Sequence, residues 1–231
     1  MRVGSRAWSN YEKVAKRLPG RLAAVVDLCI PGLSDGWGAM NGQIQRQTLV
    51  TELLEELRPE AIVETGTYRG TTARWLALVG NAPVYTVESE SRYYLYSRIR
   101  HARTRTNVSL GDSRTFLRKL ANDPLFPKAK VFFYLDAHWY SDVPLVDEFQ
   151  LIRGNWRQFV MLIDDFQVPD DPDYRFDEGF TLENLTPPSD VNVFWPTVRA
   201  KDETGWRRGC VVLSDLELRG SMLRRGGATW E

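Results

Sequence analysis

The sequence has little of what would fix a redox compartment or a soft metal site. Among its 231 residues are only two cysteines, Cys29 and Cys210, and only two histidines, His101 and His138. Neither cysteine belongs to a CxxC pair or stands at a metal-ligand spacing, so both read as reduced thiols. No apolar run approaches the roughly 18 residues a membrane span needs, and residues 1–10 lack the apolar core of a signal peptide. The expected location is therefore cytoplasmic, with no membrane partner. Charge of one sign is not in excess, because 30 Lys and Arg cancel 30 Asp and Glu. Arg219, Arg224 and Arg225 are too few and too scattered to make a basic patch, so nucleic acid is not an expected partner. Internal repeats and low-complexity segments are absent as well.

What is present is the composition of an ordinary globular α/β chain, 43% hydrophobic and 26% charged, long enough for one domain with some decoration. Its organising stretch is residues 61–76. The apolar run Ala61-Ile62-Val63 leads into Glu64, Gly66 and Gly70 stand four positions apart, and Thr71-Thr72 open an amphipathic segment. This reads as strand, tight turn and helix, with the carboxyl end of the strand facing a ligand crevice.

The same alternation recurs along the chain. Residues 9–30 carry apolar positions at helical intervals, broken at Pro19-Gly20, and residues 31–42 form a glycine-rich loop containing Trp37 and Met40. A helix over 43–57 precedes the first strand. Further strands are expected at 84–88, 108–110, 131–135 and 159–163, each followed by a helix or loop. The first, second, fourth and fifth strands end in an acid. Beyond Asp165 a loop rich in proline and acids leads to two strands at 191–196 and 209–214, joined by a polar turn and closing the sheet edge. The expected architecture is a doubly wound, Rossmann-like, mostly parallel seven-stranded sheet with a C-terminal antiparallel hairpin and an N-terminal helical extension. The expected division is 1–42 for the extension and glycine-rich loop and 43–231 for the main domain.

Glu64-x-Gly66-x-x-x-Gly70 is not the GxGxxG of dinucleotide enzymes. Glu88 after the second strand and Asp112 after the third suit a ligand with a ribose and an adenine but no pyrophosphate, since a carboxylate can accept from both ribose hydroxyls. Here residues 62–72 resemble the glycine-rich first motif of class I S-adenosylmethionine-dependent methyltransferases. Glu88 is similar to their ribose-binding acid, and Gly111-Asp112-Ser113 to the segment that holds the adenine. The likeness spans roughly residues 41–213. It is closest to a branch sharing Asn41-Gly42-Gln43, Glu64-Thr65-Gly66-Thr67, Asp136-Ala137-His138-Trp139 and Ile163-Asp164-Asp165-Phe166. The resemblance implies cofactor contacts from Glu64, Gly66, Thr67, Gly70, Thr71, Glu88, Asp112, Ser113 and Asp136.

A second constellation, Asp136-Ala137-His138-Trp139 with Asp164-Asp165, sits at the ends of adjacent parallel strands. Three carboxylates without a thiolate suit Mg²⁺. The arrangement is similar to that of metal-dependent O-methyltransferases of the catechol and macrolide-sugar types, which implies Asp136, Asp164 and Asp165 as ligands of an ion that activates a substrate hydroxyl. Two departures stand out: Asp165 where that pattern has an Asn, and Tyr140 where it has a Lys. His138, with Asp136, is then the candidate for taking the hydroxyl proton. The resulting expectation is methyl transfer from S-adenosylmethionine to a small-molecule hydroxyl, with Mg²⁺ as a possible second cofactor. The alternatives are a metal-dependent hydroxylase or hydrolase on a related fold, and a cofactor-binding module without turnover. Oligomeric state is not legible.

Overall fold

Five short strands, β1 (Ala61–Thr65), β2 (Val84–Glu88), β3 (Thr106–Leu110), β4 (Val131–Leu135) and β5 (Val160–Asp164), lie parallel in the computed structural model, which describes residues 6–30, 38–137 and 143–226. Every residue of β1, β4 and β5 is buried. Such continuous apolar runs are what a parallel strand covered on both faces requires. The sheet order is β3-β2-β1-β4-β5-β7-β6-β8, with β6 (Asn192–Pro196), β7 (Cys210–Ser214) and β8 (Leu223–Arg225) antiparallel.

Strand parity divides the core. Val63, Phe133, Leu135, Met161 and Ile163 face one side with α6 (Ser113–Asn122) and α7 (Leu145–Asn155). Ile62, Phe132, Tyr134, Val160 and Leu162 face the other, under α3 (Ile44–Leu57) and α4 (Thr71–Val79). The amphipathic spacing of α6 shows the logic: Phe116, Leu117 and Leu120 are buried, while Asp112 caps the helix by accepting from the Thr115 amide at 3.0 Å. Three further helices complete the described residues, α1 (Arg6–Ala15), α2 (Gly20–Cys29) and α5 (Ser91–Arg100), together with the single turn α8 (Leu182–Leu185).

The structure departs from the sequence reading at the C-terminal edge. The sheet has eight strands, not seven, because Leu223–Arg225 pairs with β6. The hairpin does not itself form the edge: β7 lies between β5 and β6, and β8 takes the outside position. The β6–β7 connection is also more than a polar turn. It contains a 3₁₀ turn at Ala200–Asp202 and the buried Glu203. Among the described residues, no helix is long and apolar enough to cross a membrane.

Candidate active site

The carboxyl ends of β1, β2, β4 and β5 converge on one edge, and parity decides which acids meet there. Glu64 and Thr86 are register partners across β1 and β2. The Thr86 hydroxyl donates to Glu64 Oε2 at 2.6 Å, and the Thr67 and Thr86 hydroxyls lie 2.5 Å apart. As Thr86 has one proton and gives it to Glu64, Thr67 donates to Thr86. Glu64 is 1% exposed. Burial pushes its carboxyl up to about 8, with nearby Glu88 adding to the shift and the Thr86 bond opposing it. Thr86 is a site residue that the sequence reading missed, although the register of two adjacent strands would have placed it opposite Glu64.

The turn after β1 is shaped by the chain's own backbone. Gly66 has φ +89°, and a Cβ there would lie 2.4 Å from the carbonyl oxygen of Asp136. Gly70 has φ +71°, and its Cβ would lie 2.4 Å from His101 Nε2. Both glycines are thus demanded by conformation and by close packing of β4 and α5 against the turn. His101 is buried and its Nε2 donates to the Gly70 carbonyl at 3.0 Å. Burial holds its pKa below the ordinary value, which keeps the ring neutral and structural.

Glu88 is posed by backbone amides on both of its oxygens. Its Oε2 accepts from the Tyr68 amide at 2.6 Å and its Oε1 from the Glu90 amide at 2.8 Å. Burial raises its pKa, and these two amides act against that rise. One amide comes from the glycine-rich turn and the other from the turn after β2, so the carboxylate knits the two turns together. Thr71 opens α4, and the neighbouring Thr72 hydroxyl accepts from the Met40 amide at 3.1 Å. Asp112 is exposed at the end of β3, where it caps α6 and pairs with Arg114 at 2.7 Å. Ser113 is buried beside it and bonds to Glu148 of α7. Glu148 itself is missing from the sequence reading. It also accepts from the Thr65 hydroxyl at 3.4 Å, and burial lifts its carboxyl to about 7.

Asp136 follows β4, half-buried, with its amide bonded to Thr65 O at 2.9 Å. Burial and then the charges of Asp164, Asp165 and Glu64 push its proton affinity well above that of an ordinary carboxyl. The expected partner His138 lies outside the described residues, as do Trp139 and Tyr140.

The metal expectation fares differently at Asp164 and Asp165. Asp164 points to the α3 face, where Arg46 forms an ion pair with it and the Tyr134 hydroxyl donates to its other oxygen. The Asp165 amide donates to Asp164 as well, at 2.8 Å. Asp165, at φ +56°, is paired with Arg208, which also reaches Asp177. Among the described residues no three acids, histidines or cysteines are grouped so as to hold a metal ion. The donor set therefore does not fit a hard cation: two of the three expected ligand carboxylates already face guanidinium groups. Arg208 belongs to the polar turn expected between the strands at 191–196 and 209–214, and Arg46 is not singled out in the sequence. The Asn41-Gly42-Gln43 segment explains how Arg208 is held, since the Gln43 side chain bonds both the Arg208 amide, at 3.2 Å, and its carbonyl, at 3.0 Å.

No family model matches the sequence, and no curated protein matches it. Solved structures do match in shape. The O-methyltransferase TomG from Streptomyces achromogenes, involved in tomaymycin synthesis and in complex with S-adenosylmethionine, aligns with a TM-score of 0.54 at 19% identity over 73% of this chain and 78% of that one. An O-methyltransferase from Bacillus cereus in complex with S-adenosylhomocysteine aligns with a TM-score of 0.53 at 17% identity over 73% and 80%. A Podospora anserina methyltransferase bound to S-adenosylhomocysteine aligns with a TM-score of 0.53 at 11% identity over 93% and 97%. At these identities the likeness is one of fold: the chain has the Rossmann-like fold of S-adenosylmethionine-dependent methyltransferases.

Proposed function

We propose that this chain transfers a methyl group from S-adenosylmethionine to a hydroxyl of a small-molecule acceptor. The observation that carries the reading is Glu88, a buried acid at the end of β2 whose two oxygens are oriented by amides of the adjoining turns. Each oxygen keeps acceptor capacity for a vicinal diol such as a ribose. All three solved structures of this fold named above hold the cofactor or its demethylated product, which supports placing the same ligand here.

In this reading Glu88 binds the ribose, Asp112 and Ser113 the adenine, and Gly66, Thr67, Gly70 and Thr71 form the turn that follows the ligand. Glu64 and Asp136 face the amino-acid end. The bound cofactor supplies an electrophilic methyl on a positively charged sulfur. That positive charge would favour the ionised form of the buried acids around it, and a carboxylate whose proton affinity is raised by burial and then by like neighbours, as at Asp136, binds a proton tightly once ionised. We assign the acceptor's hydroxyl proton to Asp136 or His138, either of which would hold it as the acceptor oxygen takes the methyl group that bound S-adenosylmethionine would supply. Mg²⁺ has no step in this scheme, because two of the three carboxylates expected to hold it, Asp164 and Asp165, are matched to Arg46 and Arg208.

Calorimetry with S-adenosylhomocysteine tests the cofactor assignment. Binding to the wild type and a loss of about tenfold or more in Glu88→Ala are expected, consistent with removing a charged hydrogen-bond acceptor. No binding, or binding indifferent to that substitution, would overturn it. Label transfer from methyl-labelled cofactor into a library of hydroxylated metabolites then tests turnover. Tight binding without transfer to any acceptor would favour a binding module instead.

A further inference from the structure

The N-terminal helices carry a buried charge cluster that the proposed chemistry does not use. Glu12 of α1 and Asp27 of α2 face Arg69, which belongs to the glycine-rich turn, and Arg92, which belongs to the first turn of α5. Arg69 donates to Glu12 at 2.7 Å and stacks between the rings of Trp8, Tyr68 and Tyr93, with its guanidinium carbon 4.7, 4.6 and 5.2 Å from their centroids. Arg92 grips Asp27 with two nitrogens, at 2.8 and 2.6 Å, and reaches Glu12 at 3.0 Å. Tyr11 donates to Asp27, and Tyr93 to Glu12 at 3.3 Å. Gly20 begins α2 so close to α5 that a Cβ there would lie 2.3 Å from the Ser91 hydroxyl oxygen.

The two segments held in this way are the ones that pose Glu88. Its carboxylate is oriented by the amide of Tyr68, next to Arg69, and by the amide of Glu90, two residues before Arg92. Each segment is tied to Glu12 and Asp27 by one arginine, the α5 segment also by Tyr93 and by the packing of Ser91 on Gly20, and both arginines share the same two acids. Shifting α1–α2 therefore moves both donors relative to the acid between them. A surface appendage would be joined by solvated pairs, whereas here Asp27, Arg69 and Arg92 are all buried.

We infer that α1 and α2 form a clasp on the cofactor-binding turns, with Glu12 and Asp27 as positioning residues that set the geometry of the ribose-binding acid through Arg69 and Arg92. The inference rests on the cofactor reading above for the identity of the ligand, but not for the mechanical coupling. The sheet beneath needs neither acid, since β1, β2 and β4 are packed by α3, α4, α6 and α7.

The test compares the wild type with Glu12→Gln and Asp27→Asn by two readouts. Affinity for S-adenosylhomocysteine is expected to fall about tenfold, within the usual range of coupling between sites. Amide hydrogen exchange is expected to quicken in residues 66–71 and 89–93 while β1, β4 and β5 keep their protection. Unchanged affinity together with unchanged exchange in those turns would overturn the clasp. Glu12 has the more exposed side chain, at 16%, so if Asp27→Asn fails to fold, Glu12→Gln decides. Should the wild type not bind S-adenosylhomocysteine, the cofactor reading fails by itself. The exchange comparison then still judges the clasp, with quickened turns supporting it and unaltered turns overturning it.

Discussion

At Glu64 a buried acid is held by a single side-chain donor, and its titration gives a direct handle on the site. The folded chain holds the Glu64 proton up to about pH 8, against an ordinary value of 4.5. A proton bound more tightly in the folded state stabilises fully below pH 4.5 and progressively less as pH climbs to about 8. The wild type should therefore lose stability on the order of a few kcal/mol across that window. Glu64→Gln keeps an acceptor for Thr86 and has no proton to lose, so its urea-unfolding free energy should fall less between pH 5 and pH 9. Glu148, lifted to about 7 by its own burial, leaves a residual slope in both proteins. Equal slopes would mean that Glu64 stays ionised in the folded chain. The acids themselves were legible as strand-end residues following apolar runs. Their partners were less so: Thr86 required register, and Glu148 required knowing which face of α7 meets the end of β1.

Among the elements, α3 shows how a helix start can depend on a distant loop. Its N-cap position, Gln43, makes no capping bond with its side chain, which is engaged with Arg208 instead. The orphan amides of Gln45 and Arg46 are taken by the two oxygens of Glu203, both at 3.1 Å, and that of Ile44 by the Thr204 hydroxyl at 2.9 Å. A carboxylate there also complements the positive end of the helix. Glu203→Ala should cost about 1–2 kcal/mol, the range for losing a helix cap, measured by chemical denaturation. A loss within error would show that water replaces the carboxylate. Nothing near Gln43 in sequence announces this cap, because its donors and acceptor are joined by the fold alone. Strand β8 was hidden for a related reason. Leu223-Arg224-Arg225 is too short and too charged to read as a strand, and it is held at the edge through pairs such as Arg224 with Asp170 at 2.8 Å and Arg225 with Glu217 at 2.8 Å. Strands β1, β2, β4 and β5 were legible because their apolar runs are bounded by turn signals on both sides.

For the molecule as a whole, the carboxyl edge gathers acids from several strands, and the fold balances two of them with arginines brought from far along the chain. Arg46 meets Asp164 across 118 positions and Arg208 meets Asp165 across 43. The sequence displays the acids but not the cations facing them, which is why the same residues suggested a metal centre. Arg46→Met would leave Asp164 buried with the Tyr134 hydroxyl as its remaining side-chain donor. Breaking one side of such a pair should cost about 3–5 kcal/mol, read as an earlier urea midpoint at unchanged slope. For a hard cation to bind at Asp164 and Asp165, it would have to displace both guanidinium groups and be stripped of several waters. Millimolar Mg²⁺, or a chelator, should therefore leave both the thermal midpoint and the affinity for S-adenosylhomocysteine of the wild type unchanged. A clear rise in either with Mg²⁺ would mean that the arginine pairs open in solution. Arg208→Ala sharpens the test by leaving Asp165 and Asp177 without their shared guanidinium. That variant should be less stable than the wild type and should regain part of the loss on adding Mg²⁺, since two carboxylates released from one cation favour another. If Mg²⁺ restores nothing, the two acids relax apart once Arg208 is gone, and the pair owes its geometry to the arginine.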